Sequence, residues 1–196
     1  MRKGNLSRAM MALSLVIGVL LLAPLASSLP TGIGGSSIQT AGCNCHNSVA
    51  DSSVAANIEG FPEEYNASET YELTISFDGG PSQPGNINLG GFNLWASEGA
   101  FTPTDGLTSL WAGSVNEVVH TEAGNDYTSW VVDWTAPESG KEVDFILHVN
   151  SVNGDGLQTG QLDQWNRATF TIQSSFGLVG EVLSLIHISE PTRQLC

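Results

Sequence analysis

Positive charge is nearly absent from the body of this chain. Between residues 29 and 182 only Lys141 and Arg167 are basic, against 19 Asp and Glu, a net charge of −17 with histidine neutral. Such a surface repels nucleic acid and anionic lipid, which removes both as partners. It suits a salt-rich or open-water exterior, where screening relieves self-repulsion. Cysteine is scarce as well, three in 196 residues, so no disulfide framework staples the fold and stability has to come from burial. Sustained helical periodicity is missing, and so is any arrangement of nucleophile, base and oxyanion hole. The chain is therefore not expected to be a helical protein or an enzyme.

The two ends are read separately from the fold. Arg2, Lys3 and Arg8, the apolar stretch Met10–Leu25 and the small residues Ala26-Ser27-Ser28 have the form of a secretory signal peptide over residues 1–28. Pro24 interrupts the apolar run, which is short for a membrane span, so a cleaved signal is expected rather than a retained anchor. At the other end, Leu183-Ser184-Leu185-Ile186-His187-Ile188-Ser189-Glu190-Pro191-Thr192-Arg193 looks like a translated sequencing adapter. Residues 183–196, with His187 and Cys196, are accordingly set aside, and 177–182 are read as the start of a truncated C-terminal region. About 155 residues remain, enough for one domain with a sizeable core.

Residues 29–50 read as a flexible Gly/Ser/Thr-rich lead-in that ends in a Cys/His cluster. From residue 51 to 176 the pattern is one of short strands between turn residues. Val54–Glu59 is a candidate edge strand. Tyr71–Phe77 alternates apolar and polar residues and stops at Asp78-Gly79-Gly80-Pro81. Gly91–Ala96, Glu117–His120, Ser129–Trp134, Lys141–Val149 and Arg167–Ile172 complete the set. Regular short strands with Gly, Pro and Asn turns predict an all-β sandwich. Trp95, Trp130, Trp134 and Phe145 are expected half-buried between its sheets.

The feature that points to chemistry is Cys43-Asn44-Cys45-His46. The usual haem-attachment signature is Cys-x-x-Cys-His, with thioethers from both cysteines and iron ligation by the histidine. Here one spacer residue is missing. From the residues alone three readings stand: a haem site, a zinc or copper site short of ligands, and reactive or disulfide-linked thiols, the last closing a strained and easily reduced ring. His120 and His148 are the other histidines of the domain; a structural imidazole is the default reading of both, and His120 is the better candidate for a sixth iron ligand. Asn153-Gly154-Asp155-Gly156 with Asp163 offers oxygens for calcium, but without EF-hand spacing it reads better as a tight turn. Asn66-Ala67-Ser68 is a glycosylation sequon.

Ser129–Pro137, Val152-Asn153-Gly154-Asp155-Gly156 and Asp163-Gln164-Trp165-Asn166, together with Gly90-Gly91-Phe92 and the segment Gly60–Ile75, resemble the Reeler-type domain. They resemble more closely its prokaryotic surface relatives, the choice-of-anchor V domains, over roughly residues 43–173. The resemblance implies an antiparallel immunoglobulin-like sandwich at the cell surface or outside it. It also implies a covalently held haem c on Cys43 and Cys45 with His46 as proximal ligand, and a C-terminal membrane or wall anchor. The expected function is one-electron transfer with a redox partner at the cell surface. The rival is an adhesion or binding sandwich whose Cys/His cluster is a metal staple, with copper or zinc, or a thiol tether. Membrane contact is expected only through a lost C-terminal anchor or an uncleaved signal.

Overall fold

The computed structural model describes residues 30–155 and 162–175, apart from 84 and 139. The expectations placed on the signal peptide and on the tail lie outside the described residues, as does Gly156.

Ten strands are present among the described residues: β1 (Val54–Glu59), β2 (Glu64–Tyr65), β3 (Thr70–Gly79), β4 (Gly90–Ala96), β5 (Ala100–Pro103), β6 (Thr108–Leu110), β7 (Glu117–His120), β8 (Ser129–Thr135), β9 (Val143–Ser151) and β10 (Gln164–Ser174). They form a four-stranded sheet in the order β1-β3-β8-β5 and a six-stranded sheet in the order β2-β10-β9-β4-β7-β6. Every ladder is antiparallel save the short parallel pairing of β2 with β10. The expected all-β sandwich is thus what the chain folds into.

Alternation explains why these segments stack as they do. β3 buries Leu73, Ile75 and Phe77 and leaves the residues between them less covered. β8 does the same with Trp130, Val132 and Trp134, and the two strands pair with Ile75 opposite Trp130 and Leu73 opposite Val132. Facing them from the second sheet are Val143, Phe145, Leu147 and Val149 of β9 and Phe92, Leu94 and Ala96 of β4. Trp134 meets Phe145 edge-on at 5.0 Å, and Trp130 meets Phe92 at 4.8 Å. Trp130 Nε1 donates to the Gly124 carbonyl at 2.8 Å and Trp134 Nε1 to that of Glu98 at 3.3 Å, so neither indole buries an unpaired donor. Trp130, Trp134 and Phe145 are fully buried rather than half-buried, because both inner faces close over them. Trp95 has the opposite parity on β4 and stays half-exposed.

The reverse face of the six-stranded sheet positions the site. By parity and register it carries Glu117 and Val119 of β7, Gly91 and Asn93 of β4, His148 and Asn150 of β9, and Trp165 and Arg167 of β10. Residues 30–42, expected as a flexible lead-in, lie against this face. Gly32 N–H donates to the His120 carbonyl at 2.9 Å. Gly35 N–H donates to Glu117 Oε1 at 2.7 Å. A Cβ on Gly34 would lie 2.6 Å from both Glu117 Oε1 and Trp111 Cγ, so only glycine permits this approach. A short helix, α1 (Ser36–Ala41), follows and buries Ile38. It ends at Gly42, whose φ of +67° takes the left-handed region, and whose missing Cβ leaves room for the Trp165 ring, 2.1 Å from where it would stand. The glycines that suggested looseness serve close packing.

Candidate functional site

Immediately after Gly42 the chain makes a turn, closed by His46 N–H donating to the Cys43 carbonyl at 3.1 Å. The turn folds Cys43, Cys45 and His46 onto the wall of one cleft of about 340 Å³. Three bonds clamp this loop to the start of β10. Trp165 Nε1 donates to the Asn47 carbonyl at 2.7 Å, Asp51 N–H to the Trp165 carbonyl at 2.7 Å, and Gln164 Nε2 to Asp51 Oδ2 at 2.7 Å. The same cleft is lined from β4 and β7 by Gly90, Gly91, Phe92, Asn93 and His120.

His46 Nδ1 lies 2.8 Å from Asp163 Oδ2, in a pair where the imidazole is a fifth exposed and the carboxylate is sealed from solvent. Asp163 sits one residue before β10, and its Oδ1 accepts from Asn153 N–H at 3.1 Å. His120 is held differently. Its Nδ1 lies 3.1 Å from the Phe92 amide nitrogen and 3.2 Å from the Phe92 carbonyl oxygen, so it accepts from one or donates to the other according to tautomer. The ring packs flat on β4, where a Cβ at Gly91 would stand 2.2 Å from His120 Cε1. Burial pushes the His120 imidazole below the usual histidine range, the Phe92 backbone pulls it partly back, and charge on His46 lowers it again. His46 and His120 are therefore within electrostatic reach of each other, and the downward shift favours the neutral form of His120, the form that ligates metal.

The two thiols are free. Burial, with a smaller effect of Cys45, pushes the Cys43 thiol up to about 12, which makes it a poor nucleophile at neutral pH. Cys45 is exposed, its sulfur 3.9 Å from Asn44 Oδ1. Among the described residues no group of three or more His, Cys, Asp or Glu side chains is arranged to hold a metal ion. That weighs against a bare zinc or copper ion, which needs three or four protein donors. It does not weigh against a haem, whose macrocycle brings four nitrogen donors and asks the protein only for axial ligands and thioethers. Two free thiols beside one braced imidazole, with a second imidazole lining the same cleft, fit that group in donor chemistry.

His148 does not reach the cleft. It is completely buried on the reverse face of the six-stranded sheet, between Asn93 and Arg167 by register, with the Trp165 ring 6.2 Å away. Among the described residues neither ring nitrogen has a hydrogen-bond partner, and Asn93 Oδ1 and Asn150 Oδ1 have none either. Asn93 Nδ2 donates to Glu117 Oε1 at 2.8 Å, which makes the buried Glu117 the anchor of both β4 and the N-terminal segment.

Sequence reasoning found Cys43, Cys45, His46 and His120, and the fold brings all four to one cleft. It missed Asp163 as the partner of His46. The two lie 117 positions apart, and the residue was weighed with the calcium oxygens instead. Those oxygens are engaged in a turn: Asp155 N–H donates to Asn153 Oδ1 at 3.2 Å and Asn153 Nδ2 to Asp155 Oδ2 at 3.0 Å. The sequon amide Asn66 Nδ2 donates to Glu69 Oε2 at 2.6 Å on an exposed turn.

No protein-family model matches this chain, and no curated protein matches it. Among solved structures it is similar to the human F-spondin reeler domain, at 19% identity and a TM-score of 0.42 over 64% of this chain and 91% of that one. It is also similar to the Reelin-N domain of F-spondin, at 20% identity and 0.40 over 64% and 88%. A third likeness is to AggA, the major subunit of aggregative adherence fimbriae type I from Escherichia coli, at 12% identity and 0.38 over 64% and 96%. At such identities and scores none of the three speaks to what this chain binds.

Proposed function

We propose that this chain is an exported, non-enzymatic β-sandwich that holds one haem covalently at the cleft and passes single electrons at or outside the cell surface. The observation that carries the reading is the convergence of Cys43, Cys45, His46 and His120 on one cleft from two distant parts of the chain. Cys43 and Cys45 would hold the group covalently through thioethers. His46 would be the proximal ligand and His120 the sixth. The haem would supply a reversible one-electron couple at its iron. The protein's share is to orient the imidazoles, shelter one side of the group in the Phe92 and Ile38 wall, and present an acidic exterior. A basic partner protein would dock through a small, weak, salt-sensitive contact.

The test is to express the chain in a host with haem-ligation machinery, then take a denaturing mass and a reduced visible spectrum. A haem-sized mass gain with sharp reduced bands is the expected result. A colourless protein of apo mass, beside a control cytochrome that matures normally, overturns it. A second reading, an adhesion sandwich tethered through a thiol, draws on the exposure of Cys45. That outcome would show as a Cys45-linked adduct in place of haem.

A further inference from the structure

The two imidazoles of the cleft are not equivalently held, and the difference points to a residue with a task. Nδ1 of His120 faces an amide N–H and a carbonyl oxygen of Phe92 at nearly equal distances, so its surroundings permit either tautomer. Nδ1 of His46 faces a carboxylate oxygen, which only accepts. Asp163 has its Oδ1 taken by Asn153 N–H, while Oδ2 lies against His46 Nδ1, and the whole side chain is shut off from water.

We propose that Asp163 is the positioning residue of the cleft: it fixes neutral His46 as the Nδ1–H tautomer and so leaves Nε2 as the bare, ligating nitrogen. An imidazole free in water favours the opposite tautomer, with the proton on Nε2, in which that nitrogen has no lone pair to give. A carboxylate against Nδ1 reverses the preference, sets the ring's rotation and raises the basicity of the nitrogen that meets the metal. The pair is over-determined on both sides. The Cys43–Asp51 loop and the start of β10 are joined by three further hydrogen bonds, through Trp165, Gln164 and Asp51. The donor–acceptor distance is therefore set by the scaffold rather than by two free side chains.

The assignment of His46 as a ligand rests on the function proposed above, but the tautomer does not, and the two are separable by experiment. Long-range proton–nitrogen correlation NMR on the full chain without cofactor, at pH 8, reads which His46 nitrogen carries the proton. The expected result is Nδ1–H with a bare Nε2 in the wild type, and a shift towards Nε2–H in Asp163→Asn, which keeps an oxygen for Asn153. A wild-type His46 protonated on Nε2 overturns the proposal, and this measurement needs no variant to fold. In the haem-loaded protein, Asp163→Asn should keep the covalent mass and raise the reduction potential, because a less basic imidazole stabilises the oxidised iron less. An unchanged potential with haem in place overturns the role of Asp163. A wild type that never acquires haem overturns the haem reading, while the NMR result still decides Asp163.

Discussion

His148 makes the strongest quantitative prediction, because a buried imidazole with no hydrogen-bond partner among the described residues ties folding to pH. Burial, helped by Arg167 across the β9–β10 ladder, pushes it down to about 4 from an ordinary 6.5. Between those values the unfolded chain binds a proton that the folded chain refuses. Stability is therefore complete above pH 6.5 and falls as pH drops towards 4. From pH 7.5 to 4.5 the loss from this one group works out at about 2–3 kcal/mol. In a domain of this size that is a melting temperature about 5–10 °C lower. Other groups titrate too, since protonating an acidic surface relieves its self-repulsion and acts in the opposite direction. The observable is therefore a difference. His148→Leu removes the titration and two unpaired buried nitrogens, so at pH 7.5 it should be as stable as wild type or about 1 kcal/mol more so. Urea unfolding at both pH values should show its advantage growing by about 2–3 kcal/mol at pH 4.5. A wild-type to variant gap that stays flat across that range refutes the reasoning and means that His148 is hydrated or paired in solution.

Two further outcomes follow from the same geometry. Gly34→Val should unseat the N-terminal segment, because its side chain would meet Glu117 Oε1 and the Trp111 ring. Breaking the Gly35 bond to a buried carboxylate costs about 1–3 kcal/mol, and limited proteolysis should then cut within residues 30–42; uncut protein of wild-type stability would count against the docked arrangement. In the haem-loaded protein His120→Ala should turn the spectrum from that of a six-coordinate to that of a five-coordinate iron, restored by added imidazole; an unaltered spectrum would remove His120 as the sixth ligand.

The fold was legible where a strand is long enough to show its period. β3 and β8 each place three buried residues at alternate positions, and that pattern is unambiguous over seven residues or more. β2, β5 and β6 have two to four residues each, too few for alternation to declare itself, and tertiary pairing alone makes them strands. α1 was invisible for the same reason, six residues being less than two turns. The N-terminal segment was misjudged on composition. Glycine marks flexibility in a free chain, but at Gly34 and Gly42 the missing Cβ is what lets backbone lie on Glu117, Trp111 and Trp165.

The site divides along the same line between local and distant. Cys43, Cys45 and His46 are readable because their chemistry is contained in four consecutive residues. His120 was readable only as a histidine on a strand, and nothing in Val118-Val119-His120 says that Gly91 opposite leaves its ring a seat. Asp163 and Glu117 were the least visible, since in a chain so rich in acids each resembles a solvated surface carboxylate. Their burial has a structural cause: each is enclosed where the N-terminal segment or the Cys/His loop crosses the sheet and brings it a donor, Gly35 N–H for Glu117 and His46 for Asp163. A carboxylate removed from water is costly unless donors replace the water, so the acids that matter are those that the fold surrounds with donors. Pairing across 82 and 117 positions is decided by the topology, and it is the topology that turns a short cysteine–histidine motif into an oriented site.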